Sequence, residues 1–260
     1  MIKTFTLCVF AGVFMTTAWA TTIQVSPGSP ENWNFTNSDG SVSQNFVNGP
    51  ATAPLGAGSL NMQIGADGDQ YTIARNDADV VGTALSAVTA LSYSTYESNY
   101  VDGQAIYLSL VLSNNDRLYF EPVYQTGSYG GDAVPDQCVG ITNCAALNQW
   151  QTWNALVGGW WSLDGYGGSN GGPPNFTLAD YAAANAGVTI SAIRLVAGGG
   201  AGAWDHFDGN VDNLHIATAA YDNTYDFEPG AATPEPGTVV LMLGALFAIG
   251  IVSRRRQALR

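Results

Sequence analysis

Ile106-Tyr-Leu-Ser-Leu-Val-Leu112 is almost wholly apolar and suits a central β-strand covered on both faces. Outward from it, residues 21–232 keep the same grammar: short runs bounded by clusters of Gly, Asn, Asp and Pro, which read as strands and turns. Strands are predicted at 59–64, 70–74, 87–93, 106–112, 117–124, 149–156, 190–197 and 211–216. Leu91-Ser-Tyr-Ser-Thr-Tyr96 and Trp150-Gln-Thr-Trp153 recur in apolar character with no sustained helical period. One helix is signalled: Thr177-Leu-Ala-Asp180 is a capping box, and Gly187 supplies the stop. One helix among about eight strands argues a β-sandwich. No internal repeat is present, which argues against a propeller, a β-helix or a threonine-array ice binder.

The 260-residue chain is only 11% charged and carries 31 glycines, against an ordinary charged share of about 25%. Its 21 acids all follow residue 20, whereas residues 21–232 contain only Arg75, Arg117 and Arg194 as cations. Such a surface repels phosphate backbones, so nucleic acid is not an expected partner; it would tolerate Ca²⁺ and neutral sugars, or simply be soluble. Cys138 and Cys144 close Cys-Val-Gly-Ile-Thr-Asn-Cys. An even pair in an exported chain reads as a disulfide, the competing metal pair having no His or further Cys nearby.

The two ends speak of export. Residues 1–20 combine Lys3, an apolar run from Phe5 to Met15, and small residues at Ala18 and Ala20, which together form a secretory signal cleaved after Ala20. At the other end, Pro234-Glu-Pro236 precedes 15 uncharged residues, Thr238 to Val252, and then Arg254, Arg255 and Arg256. A helix of that length covers about 22 Å, which Gly237 and Ser253 can lengthen and the arginines can extend by snorkelling. A transmembrane helix is therefore predicted at 237–253, with the arginines cytoplasmic and the main domain outside.

Pro-Glu-Pro, an apolar helix and an Arg cluster at a chain end resemble the PEP-CTERM sorting signal, also known as the ice-binding-protein C-terminal domain. The resemblance covers roughly the last 28 residues, 233–260, and does not make the chain an ice binder. It implies export through the Sec translocon, signal peptidase cleavage, anchoring in the inner membrane of a Gram-negative bacterium, and processing by an exosortase. The cell surface or extracellular matrix would be the destination, with an association to exopolysaccharide and biofilm. In the body, Phe207-Asp-Gly-Asn-Val-Asp-Asn-Leu-His-Ile216 resembles the last strand of laminin-G or concanavalin-like sandwiches, and with Trp150-Gln-Thr-Trp153 it is similar to uncharacterised bodies of other PEP-CTERM proteins. The expected fold is mainly β: a jelly-roll or concanavalin-like antiparallel β-sandwich with one short helix over 21–232, plus the single C-terminal transmembrane helix.

Candidate contacts are few. Trp160, Trp161 and Trp204 could stack on sugar rings; core packing is the competing reading, favoured for Trp150 and Trp153. Trp160 and Trp161 are adjacent, so in a strand they face opposite ways. Asp205, Asp208 and Asp212, with Asn210, could offer oxygens to Ca²⁺ or simply cap turns; their spacing, like that of Asp67-Gly-Asp69, is not that of an EF-hand. The Gly-rich run 198–202 lacks the Gly-Lys-Ser/Thr ending of a phosphate loop. Before Glu228 the only glutamates are Glu31, Glu97 and Glu121, and no Glu-x-Asp-x-x-Glu, Gly-x-Ser-x-Gly or His-Glu-x-x-His occurs. A non-catalytic surface or matrix protein is expected, with no catalytic residue and no cofactor beyond the calcium alternative. A carbohydrate-binding module and a diverged glycan-active enzyme are the other readings.

Overall fold

A computed structural model describes residues 19–230, apart from 38–41, 67, 101–102, 128–133, 139, 142–143, 169 and 200–203. Residues 1–18 of the predicted signal, Ala18 among them, and the tail with Pro234, Glu235, Pro236, Arg254, Arg255 and Arg256 lie outside the described residues, whereas Ala20, the predicted cleavage position, opens the first strand. Among the described residues no helix is long and apolar enough to cross a membrane.

The apolar run quoted first becomes β7 (Tyr107–Leu112), in the middle of a seven-stranded sheet. Its order is β11 (Phe176–Thr177), β10 (Gly159–Ser162), β8 (Arg117–Phe120), β7, β12 (Ile190–Gly198), β5 (Gln70–Arg75) and β2 (Trp33–Asn37). The other, called the first sheet because it holds β1, runs β1 (Ala20–Val25), β14 (Asp222–Phe227), β13 (Asp208–Ala217), β4 (Gly58–Ile64) and β3 (Val42–Asn48), with β6 (Ala90–Asn99) joining β13 and carrying β9 (Trp150–Asn154); the sheet around β7 is the second. Facing side chains of the two sheets make the core, including Leu108, Leu110, Phe120, Tyr93, Trp153 and Ile216, all at most 1% exposed. The described residues form a mainly β sandwich with one α-helix, α1 (Leu178–Ala184). The expected antiparallel pattern fails at one edge, where β1 lies parallel to β14.

Local chemistry explains where predicted boundaries move. β6 begins at Ala90 because Leu85–Ala87 forms a 3-10 turn. β8 ends at Phe120 because Pro122 has no N–H to give a ladder; Pro122–Tyr124 turns instead. The capping box is as read: Asp180 N donates to Thr177 Oγ1 (3.2 Å) and Thr177 N to Asp180 Oδ2 (2.9 Å). Cys138 and Cys144 are joined in a disulfide. Arg75 is structural: it is 2% exposed, pairs with Asp77 (2.7 Å) and Asp79 (3.0 Å), and its guanidinium lies 4.7 Å from the Tyr225 ring centre.

Two buried carboxylates tie loop 49–58 to the first sheet. Asp212 accepts from Phe227 N (3.0 Å) on one oxygen and from Leu55 N (3.1 Å) on the other. Glu228 Oε1 accepts from Ala57 N (2.6 Å) and Gly58 N (3.0 Å). Glycine is required opposite them: a Cβ at Gly56 would stand 1.8 Å from Glu228 Oε1, at a φ of +59°.

Burial pushes the Asp212 carboxyl up to about 7, and burial with the neighbouring Glu228 charge pushes Asp226 up to about 6. Glu97, closed inside the sandwich beside Thr95, is pushed by burial up to about 8 against the opposing pull of hydrogen bonding from Thr95 and from its own backbone. Each of these groups holds its proton more tightly folded than unfolded, where ordinary carboxyls titrate near about 4. Between about pH 4 and pH 8 the folded state therefore carries more protons, and stability falls as pH rises. The midpoint of thermal unfolding by calorimetry is expected to be at least about 5 °C higher at pH 5 than at pH 8.5. A midpoint that falls on acidification over that range would contradict these assignments.

Candidate functional site on the outer face of the second sheet

The short strand β10 decides which tryptophan meets solvent. It is pinned from both ends: Gln125 donates to Gly159 O (3.0 Å) and accepts from Gly159 N (2.9 Å), and Ser162 Oγ donates to Asp116 Oδ2 (2.7 Å). Asp116 also accepts from the Tyr181 hydroxyl (2.8 Å), docking α1 against the same strand. With that register, Trp160 falls opposite Phe176 and points into the core. It is fully buried, with its Nε1 donating to Ala155 O (2.8 Å). Trp161 falls opposite Tyr119 and points out.

The strand register lays a row across the outer face: Trp161 beside Tyr119, Tyr119 beside Ser109, Ser109 beside Arg194. Trp161 and Tyr119 are both half-buried and stack face to face, ring centres 4.1 Å apart at 13°. Trp161 Nε1 donates to Glu121 Oε2 (2.7 Å). Burial holds the Glu121 carboxyl above the usual carboxylate range against the pull of that hydrogen bond. Aromatic contacts continue from Tyr119 to Tyr107 (6.1 Å) and from Tyr107 to Trp204 (5.9 Å). Arg117 precedes Tyr119 by two residues and so shares this face. At the other end, a Cβ on Gly172 would stand 2.5 Å from Tyr124 Cε2 and 3.2 Å from Glu121 Oε2, so residue 172 closes over that rim.

The other sequence candidates separate. Trp160 and Trp204 are not surface aromatics: Trp204 is 4% exposed and packs edge-on against Phe207 (4.8 Å). Trp153 is core, as expected, donating to Thr95 Oγ1 (2.9 Å), but Trp150 is half-buried and tilted over Tyr96 (5.6 Å). The calcium set does not assemble. Asp205 is exposed, Asp208 accepts from Asn61 (2.7 Å), and Asp212 spends its oxygens on backbone N–H groups. Among the described residues no three His, Cys, Asp or Glu side chains gather where a metal ion could be held. A separate cavity of about 570 Å³ lies between β2 and β3, walled by Pro27, Pro30, Trp33, Phe35 and Phe46 and carrying no charged side chain.

Sequence reasoning missed Tyr119, Ser109 and Arg194. Alternation along β8 places Arg117, Tyr119 and Glu121 on one side, but their meeting with Trp161 and Arg194 depends on long-range register.

No family model matches the chain, and no curated protein matches it. A solved structure of the carbohydrate-binding module TmCBM61 in complex with beta-1,4-galactotriose is similar at a TM-score of 0.29 and 11% identity, covering 72% of this chain and 89% of that one. A likeness at that score decides nothing about this chain's ligand.

Proposed function

We propose that the chain is an exported, non-catalytic glycan-binding protein whose β-sandwich, of the jelly-roll or concanavalin-like kind, is displayed outside the cell. The Sec translocon, signal peptidase and an exosortase would be its processing partners, and exopolysaccharide its setting. The observation that carries the binding reading is the half-buried Trp161 stacked on Tyr119 at 4.1 Å, with a hydrogen-bonding carboxylate at its edge. A pyranose has one apolar face and a rim of hydroxyls, so a flat aromatic beside polar side chains suits it. Support for a non-catalytic role comes from the acids: two-carboxylate glycoside hydrolysis needs both carboxyls at one open groove. Glu97 is fully buried between the sheets, whereas Glu121 is engaged by Trp161 on the outer side.

The test has two arms. A glycan-array screen of the full chain should give hits that Trp161→Ala removes; a blank array would leave a purely structural surface role. Replacing Pro234, Glu235 and Pro236 with alanine should leave the tail uncut in an exosortase-bearing host, and unchanged processing would refute the sorting assignment.

A further inference from the structure

Of the three cations in residues 21–232, Arg75 is consumed by Asp77 and Asp79. The other two, Arg117 and Arg194, share the outer face of the second sheet with Trp161 and Tyr119. Neither forms a salt bridge among the described residues, although the chain carries 21 acids. Arg194 is half-buried, and its Nε is closed off from solvent with no hydrogen-bond partner among the described residues. Directly across the ladder, Ser109 Oγ is likewise buried and unpartnered. Buried polar groups are normally satisfied, and a buried cation is costly unless an anion meets it. Burial and the charge of Arg117 already press the Arg194 guanidinium below its ordinary range. Arg117 and Arg194 thus stand on one sheet face with Tyr119 and Trp161, neither of them neutralised by a salt bridge among the described residues.

We propose that the ligand of this face is an anionic polysaccharide, its acidic substituent taken by Arg194 and Arg117 while a ring stacks on Trp161. The inference rests on the glycan-binding reading above and narrows it. Arg presents a planar fork that matches a carboxylate bidentately and also accepts a sulfate ester. The net charge of −13 does not forbid this. At physiological ionic strength charges beyond about 8 Å are screened, so the local pair of arginines decides.

The experiment is affinity electrophoresis and calorimetric titration of the full chain against polygalacturonate, a sulfated galactan and a neutral galactan. The wild type is compared with Arg194→Gln, Arg117→Gln and Trp161→Ala. Losing one charge-assisted contact should weaken binding to the acidic polymer by about 10- to 100-fold in Arg194→Gln. Binding of the neutral galactan should fall by less than that of the acidic polymer, and raising salt should close the gap between acidic and neutral ligands. Because Arg194 is half-buried, Arg117→Gln repeats the test at a second position, and thermal unfolding checks that each variant is folded. Binding to the sulfated polymer alone would support anion capture and place the charge on a sulfate. Equal binding of acidic and neutral polymers, indifferent to both arginine variants but lost in Trp161→Ala, would overturn the anionic inference and leave the glycan reading standing. Binding to none of the three would overturn the anionic inference, and the glycan array then decides the glycan reading.

Discussion

Trp160→Ala should lower the unfolding free energy by about 3–5 kcal/mol, the range for removing a large buried aromatic. Trp161→Ala, one residue along, should cost about 1–2 kcal/mol, the scale of one hydrogen bond and one aromatic contact. The difference comes from strand parity. Trp160 is fully buried against Phe120, ring centres 5.6 Å apart, and its indole N–H is satisfied inside the protein. Its removal opens a void that the pinned strand β10 cannot close, since Gly158 is already so tight that a Cβ there would sit 2.2 Å from Phe120 Cε2. Trp161 has solvent on part of its surface and loses the Tyr119 stack and the Glu121 hydrogen bond. Urea denaturation of both variants measures the gap. Equal losses would mean that the outer ring is as structural as the inner one, and its role as a binding platform would need rethinking.

Asp212→Ala should be nearly as damaging, at about 2–5 kcal/mol. It strips the acceptor from two backbone N–H groups at once, Leu55 and Phe227, and a donor left unsatisfied in the interior costs about 1–3 kcal/mol. Asp212→Asn should recover part of the loss, because an amide keeps one acceptor oxygen of two. Proteolysis of the alanine variant is expected to begin in loop 49–58, since Asp212 is one of the two carboxylates that tie that loop to the sheet. If Asp212→Ala unfolds like the wild type, the loop is held by Glu228 and its glycine contacts alone.

What could be read in advance was what depends on neighbours in sequence. β7 was legible because six of the seven residues from Ile106 to Leu112 are apolar, and the Thr177 cap because its partner stands three residues away. β10 was missed because Gly-Trp-Trp-Ser is only four residues long. β14, Asp-Asn-Thr-Tyr-Asp-Phe, was missed because its sequence is polar and reads as a turn. At Trp160 and Trp161 the alternation itself was legible, but not its phase, which is set by pairing with β8 some forty residues earlier. Trp204 follows a Gly-rich run and so looked like a surface ring; its burial comes from Tyr107, far away in the chain. Asp212 looked like a cation ligand because a carboxylate near a strand end has the same sequence whether it meets a metal or a backbone N–H. Arg194 enters the sequence reading only as one of three cations, and only the register with Ser109 exposes its missing partner.

The most direct test is a ¹H–¹⁵N spectrum of the indole N–H groups of the full chain during titration with oligogalacturonate and, separately, with neutral galactan oligomers. The Trp161 resonance, whose N–H is held by Glu121, is expected to move in step with binding, while Trp153 and Trp160 stay in place. Binding that leaves Trp161 unmoved, or that instead shifts Trp33 beside the cavity between β2 and β3, would contradict the account.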